Sequence, residues 1–236
     1  MRFYLFKQAG LACANRFLEI GCGTGAVLAD LPADKPERAG VFGIDIDRSA
    51  LTQAALHVPQ AIFSGADAVN LPFKDAVFDL VFCHFLLLWV KDPLDALQEM
   101  RRVTRPGGAV LALAEPDFGG RIDYPPVLAD LGRWQAESLR CQGADPLMGR
   151  KLVGIFHRAG LRQVQTGIMG GEWKDFPGAA TVVSTEIDLE WKVLMTDLAG
   201  QVPPQDIQRM READELARQR GDRVLFVPTF YAWGVV

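Results

Sequence analysis

The segment Phe17-Leu18-Glu19-Ile20-Gly21-Cys22-Gly23-Thr24-Gly25 restricts this chain more than any other. A short apolar run enters three glycines at alternate positions, and a helical pattern follows. Glycine accepts positive φ and lets the backbone approach a ligand closely. The first N–H groups of the next helix can meet polar or anionic atoms. A strand before such a turn and a helix after it make the opening crossover of a parallel α/β sheet. Gly21-x-Gly23-x-x-Ala26 also fits the dinucleotide fingerprint. The turn therefore points to a nucleoside-bearing cofactor without choosing one.

The rest of the first half agrees with a parallel sheet. Short runs, apolar on both faces, occur at 16–20, 39–44, 61–64, 78–83 and 109–114, as expected of strands covered by helices. Residues 94–103 have helical spacing and stop before Arg105-Pro106-Gly107-Gly108, which reads as a turn. In the second half, helices are expected at 127–142, 147–159, 181–198 and from Pro204 to Gly221, with strands at 162–168 and 224–236. The expectation is one domain, 1–236, with a cofactor half at 1–115 and a substrate-side half at 116–236. A helical insertion before the last strand, at about 172–222, would act as a lid, with Trp173, Phe176, Trp191 and Met195 as candidates for an apolar pocket.

Composition narrows the partners. A net charge of −4 gives no global electrostatic case for nucleic acid or an anionic membrane. Arg209, Arg211, Arg218, Arg220 and Arg223 are interleaved with acids and read as a solvated helix face. The cysteines Cys13, Cys22, Cys83 and Cys141 form no CxxC pair, and with three histidines no metal site is expected. The pattern suits reduced thiols in the cytoplasm. The longest apolar stretch, 80–90, is too short to span a bilayer.

Three carboxylates bear on the choice of cofactor. Glu19 ends the first strand, two residues before Gly21. A carboxylate there is of little use beside a pyrophosphate but suits an ammonium, and S-adenosylmethionine (SAM) carries an ammonium and no phosphate. Asp45 ends the second strand, where it can accept from both ribose hydroxyls; NAD enzymes also place an acid here, so it supports a nucleoside without choosing between cofactors. Its competitor Asp47 suits the N-cap of a helix beginning near Ser49. Asp67, after the third strand, can accept from an adenine amino group, and the Ala68 N–H can reach a ring nitrogen.

On these residues the chain resembles the class I SAM-dependent methyltransferases of the methyltransferase type 11 group, which includes ubiquinone and menaquinone biosynthesis enzymes. The matching pieces lie at 17–25, 41–47, 65–73, 78–90 and 101–108, in the expected order. The resemblance implies a Rossmann-like α/β fold: a seven-stranded, mostly parallel sheet, helices on both faces and an antiparallel last strand. It implies that Glu19, Gly21, Gly23 and Gly25 surround the methionine part of SAM, that Asp45 holds the ribose, and that Ile46 packs on adenine. Asp67 and Ala68 would read the adenine edge, with Cys83 also at the cofactor. The glycine motif begins 16 residues in, where relatives carry a longer segment that helps cover SAM, so a more open pocket is expected on that side.

Methyl transfer from a sulfonium is an in-line displacement, for which orientation is the main requirement. Ligands of open α/β sheets lie beyond the carboxyl ends of the strands, so Cys83, His84 and Phe85 stand nearest the reaction. His84 is the candidate base. Residues 115–126 follow the fifth strand with three acids, Arg121 and Tyr124, and form the expected substrate-facing loop, with Glu115 as a second candidate acid/base. The expected reaction yields S-adenosylhomocysteine (SAH) and a methylated small molecule. The alternatives are an NAD(P)-dependent oxidoreductase, a non-catalytic SAM-binding protein, and aminopropyl transfer from decarboxylated SAM. The methylated atom and the oligomeric state stay open.

Overall fold

The computed structural model describes residues 2–10, 14–31, 40–170 and 191–236. The chain divides into two compact units. The first contains Met1–Pro116, Met148–Met169 and Thr229–Val236, and the second Asp117–Leu147 and Gly170–Pro228.

The first unit is built on seven strands: β1 (Arg16–Ile20), β2 (Gly40–Asp45), β3 (Ile62–Gly65), β4 (Phe78–Cys83), β5 (Thr104–Pro116), β7 (Arg162–Met169) and β9 (Thr229–Val235). Their order is β3-β2-β1-β4-β5-β9-β7. β1 to β5 pair in parallel, while β9 runs antiparallel to both β5 and β7. The helices are α1 (Arg2–Gln8), α2 (Ala26–Ala29), α3 (Arg48–His57), α4 (Pro93–Val103) and α6 (Met148–Arg158). This is the seven-stranded, mostly parallel, Rossmann-like arrangement that the resemblance implies.

All six residues of β4 are buried, as a central strand covered on both faces requires. Phe17, Leu80, Phe82, Leu111 and Leu113 form one core with Leu5 and Phe6 of α1, Val27 and Leu28 of α2, and Leu51 of α3. The alternating residues Leu18, Val81 and Val110 point to the opposite face and are fully buried. α4 and α6 contact each other and β5.

Two differences from the sequence reading go beyond a shift of one or two residues at an element's end. β5 begins at Thr104, not 109. Arg105-Pro106-Gly107-Gly108 is not a free turn, because Gly107 N–H donates to Val236 O at 2.9 Å and Val236 N–H donates to Gly108 O at 3.0 Å. The end of the chain thus recruits the glycines into the sheet. The expected last strand is in fact two strands. Val224–Phe226 (β8) pairs with Ile122–Tyr124 (β6) in a separate ribbon, and only Thr229–Val235 joins the main sheet. Pro228, which has no N–H to give a ladder, lies at the break.

The second unit contains β6, β8, α5 (Ala129–Cys141), a helix at 191–197 (α7) and α8 (Pro204–Arg220). α8 has Pro in its first turn and ends on Gly221 at φ 73, as its sequence predicts. Leu128, Leu131, Trp191, Leu194, Leu198, Ile207 and Met210 form its core. Residues 171–190 lie outside the described ones, so the helix expected at 181–198 is described only from 191. Trp173 and Phe176 of the expected apolar pocket lie outside as well. Of the other two, Trp191 is core and Met195 is exposed.

Two expectations about charge are overturned in this unit. The arginine cluster is not wholly a solvated face. Arg223 is 5% exposed and pairs with Asp214 at 2.5 Å and with Asp123 at 2.9 Å. Arg218 joins Asp214 at 2.7 Å, and the Trp191 indole N–H donates to the same carboxylate at 2.9 Å. Burial pushes Asp214 up, but Arg218, Trp191 and Arg223 together hold it below the usual carboxylate value. The segment after β5, expected to face substrate, turns two of its charges inward. Arg121 and Asp123 are almost fully buried and pair at 2.6 Å. Arg121 also donates to Gln135 Oε1, whose amide donates to Asp197. A charge removed from water must find partners, because a lone buried ion is costly.

Removing one partner of this network is predicted to destabilise strongly. Arg223→Met, which leaves Asp123 and Asp214 short of a counter-charge, should cost about 3–5 kcal/mol in urea unfolding. Trp191 fluorescence should report the change. Exposed Arg211→Met should stay within about 0.5 kcal/mol of the parent.

Candidate cofactor site

The carboxyl ends of β1, β2, β3 and β4 surround a cavity of about 600 Å³ within the first unit. Ile20 and Gly21, where β1 enters the glycine turn, line it. Gly21, Gly23 and Gly25 all have positive φ, at 69°, 50° and 78°. The turn is tied to its neighbours: Cys22 N–H donates to Ile44 O at 2.9 Å, and Gly25 N–H donates to Cys22 O at 2.8 Å. A Cβ built on Gly21 would lie 2.7 Å from Leu86 Cδ1, whereas one on Gly23 meets nothing within 4 Å. Gly21 is therefore the position at which the turn and the segment after β4 come closest.

Asp45 fastens the first turn to the second. Its Oδ2 accepts from Gly23 N–H at 2.7 Å and its Oδ1 from Asp47 N–H at 2.9 Å. Asp47 caps α3, accepting from Ser49 and Ala50 N–H. The capping bonds from Ser49, through its side chain first, hold Asp47 below the usual carboxylate value. This separates the two acids as the sequence reading does: Asp45 faces the cavity and Asp47 serves the helix.

Five of the expected cofactor residues line the cavity: Gly21, Asp45, Ile46, Asp67 and Ala68. Ile46 is 78% exposed, an apolar side chain with an open face next to Asp45. Asp67 is held in a short turn, accepting from Val69 N–H at 3.2 Å while Asn70 N–H donates to its carbonyl. Glu19 and Cys83 lie deeper, both buried, and Gly23 and Gly25 complete the turn. Two carboxylates, Glu19 and Asp45, act on this turn. Burial, then the charges of Glu19 and Asp45, push the Cys22 thiol up to about 12. Burial, then Glu115 and Glu19, push Cys83 well above its ordinary value.

The two candidate acid/base residues are placed differently. His84 directly follows β4 and is half-buried, its ring edge-on to Phe85 at 4.5 Å. Phe85 itself lines the cavity. Glu115 does not face substrate. It lies within β5, fully buried, and its carboxylate accepts from the N–H groups of Leu86, Leu87 and Leu88 at 3.0, 2.9 and 3.2 Å. The strand continues past 114 and carries Glu115 inward, so its oxygens meet backbone donors rather than solvent. Sequence reasoning set Phe85 near the reaction but did not identify Leu86 or Trp89 as part of the cavity wall, although both belong to the apolar run that continues beyond β4.

Comparison with known proteins places this geometry. A family model described as "Methyltransferase domain" matches residues 18–112. An uncharacterized methyltransferase of Schizosaccharomyces pombe is 32% identical over 152 residues, covering 59% of this chain and 54% of the relative. The demethylmenaquinone methyltransferase of Bacillus cereus is 30% identical over 169 residues, covering 64% of this chain and 71% of the relative. Among solved structures, phosphoethanolamine N-methyltransferase 2 of Haemonchus contortus, crystallised with SAM, matches with a TM-score of 0.62 at 17% identity. That match covers 99% of this chain and 51% of the other. The chain thus spans about half the length of the yeast relative and of the nematode protein.

Gly21 and Gly23 of the turn should respond unequally to alanine. Gly21→Ala meets both a left-handed backbone and the Leu86 methyl, and is predicted to cost about 1–2 kcal/mol or more in denaturant unfolding. Gly23→Ala meets only the backbone penalty and should cost less. Equal losses would show that Leu86 does not press on the turn.

Proposed function

The chain belongs to the SAM-dependent methyltransferases of the methyltransferase-domain family, and on that premise we propose that it methylates a small-molecule acceptor bound beyond the carboxyl ends of its parallel strands. The observation that carries the choice of cofactor is the buried Glu19 carboxylate near the end of β1, directly before the glycine turn. Glu19 and Asp45 both act on Cys22, and the Gly23 N–H is already engaged by Asp45. A pyrophosphate would meet these charges with its own, whereas a cationic cofactor is favoured by them. When bound, SAM supplies an electrophilic methyl group whose bonding pair returns to sulfur on transfer.

The chain's own residues hold and orient. Asp45, fixed by two backbone N–H groups, keeps oxygen lone pairs for the ribose hydroxyls. Ile46 offers its exposed face to the adenine, Asp67 accepts at the adenine edge with the Ala68 N–H beside it, and Glu19 holds the ammonium. His84 is the candidate proton acceptor for an acceptor molecule that arrives protonated. Its support is its place after β4, next to the cavity-lining Phe85. The net charge of −4 supports a small molecule rather than a nucleic acid. Free thiols at Cys22, Cys83 and Cys141 support a cytoplasmic setting. Among the described residues no helix is long and apolar enough to cross a membrane. The Bacillus relative makes demethylated quinones the first acceptor class to test.

Calorimetry with SAH tests the cofactor. Wild type is expected to bind, NADH to give no heat, and Asp45→Ala to bind roughly 100-fold more weakly, as loss of charge-assisted hydrogen bonds implies. NADH binding without SAH binding would overturn the reading in favour of an oxidoreductase. With an acceptor in hand, His84→Gln is expected to lower kcat by about 10²-fold or more while leaving the SAH Kd unchanged. Unchanged kcat would remove His84 from the chemistry.

A further inference from the structure

Glu115 is a fully buried carboxylate that no transfer step uses, and it contacts the wall of the cofactor cavity from behind. The segment it touches, 84–90, has an alternating architecture. Phe85, Leu86, Trp89 and Val90 line the cavity, while Leu87 and Leu88 are buried. Phe85 has a φ of 52°. Phe85 N–H donates to Ala114 O, and Trp89 N–H donates back to Leu86 O, both at 2.9 Å, so the segment makes a tight turn directly off β4. Such a turn leaves successive N–H groups pointing the same way, a concavity that takes an anion. The anion here is Glu115: Oε1 accepts from Leu86 and Leu87, and Oε2 from Leu88. Leu86 in turn lies over Gly21.

We propose that Glu115 is a positioning residue: its ionised carboxylate holds the 86–88 backbone in the one shape that sets Leu86 against the glycine turn and gives the cofactor its wall. The inference rests on the SAM-binding reading above and adds to it a residue outside the cavity that governs cofactor affinity. The arrangement needs acceptors at both oxygens. A protonated carboxyl, or an amide, brings a donor to one of them and faces an N–H with an N–H or O–H. Burial pushes the Glu115 carboxyl up to about 7, against the three N–H bonds that favour its charged form. The wall is therefore expected to loosen as pH falls through about 7 and tighten as it rises.

The groups around Glu115 do not supply that titration. The Cys83 thiol of β4 is held well above its ordinary value by burial and by Glu115 and Glu19, so it stays neutral across this range. The partner atoms at 86–88 are backbone, and opposite Glu115 in β9 stands Phe230. Glu19 of β1 is the other carboxylate acting on Cys83. His84 lies two residues from Leu86, and imidazole ordinarily titrates nearby, so every profile is repeated in His84→Gln.

The test is amide hydrogen exchange at residues 86–88 without ligand, with α4 amides as the internal reference, beside SAH calorimetry, both from pH 6 to 8. In wild type, corrected exchange at 86–88 is expected to slow and SAH affinity to rise with pH. In Glu115→Gln at pH 8, exchange should be roughly tenfold faster and SAH binding roughly tenfold weaker, with both flat in pH, as loss of a charge-assisted hydrogen bond implies. Thermal melting checks that the variant is folded. A flat wild-type exchange profile at 86–88 overturns the proposal whatever the variant does. So does a folded Glu115→Gln that matches wild type in exchange and Kd. Wild type that fails to bind SAH at all overturns the cofactor reading instead, and the exchange profile still decides whether Glu115 holds the wall.

Discussion

The Asp45 carboxylate, held between the N–H groups of Gly23 and Asp47, is the interaction on which the cofactor end of this protein depends. It ties the turn after β1 to the turn after β2. Without it, Gly23 N–H would lose its acceptor, and the helix cap at Asp47 would lose its anchor. The same carboxylate stands where a nucleoside ribose would lie, so the residue that fixes the turn also faces the cavity.

Much of this was legible in the sequence because one residue type at one spacing has few physical solutions. Three alternate glycines after an apolar run require positive φ, and all three have it. Carboxylates at strand ends come out where the crossover puts them, so Asp45 and Asp67 reach the cavity, and Asp47 caps the next helix as its place before Ser49 predicts. Strands buried on both faces announce themselves as short continuous apolar runs, and 16–20 and 78–83 fall where the sequence reading sets them.

What was not legible depends on distant pairing. Nothing local in Arg105-Pro106-Gly107-Gly108 distinguishes a turn from a strand end until Val236 arrives to bond it. Pro228 looks like an interruption in one strand, yet its neighbours on either side pair with different sheets. Charged residues are read as solvated by default, and Arg223, Asp214, Arg121 and Asp123 defeat that default because their pairs are joined into one buried network by a contact between distant parts of the chain. For Arg223 and Asp123 the separation is 100 residues. Glu115 is the same case with a backbone partner: a carboxylate at the end of an apolar run looks like the first residue of a loop until β9 extends the strand past it.

Glu115 also shows how folding and function can set opposite demands on one atom. Its folded-state value is raised from 4.5 to about 7, so protonation favours the folded chain. The stability this contributes is fully present below the unfolded value and is lost as pH rises through about 7, on the order of 3 kcal/mol across that window. The N–H groups of Leu86, Leu87 and Leu88 make the reverse demand, because only the ionised form accepts from all three. A neutral glutamine would relieve the first cost and forfeit the second. A buried carboxylate at this position is therefore poor economy for a scaffold but reasonable for a site, where a wall in the right shape outweighs a stability that the rest of the core can supply.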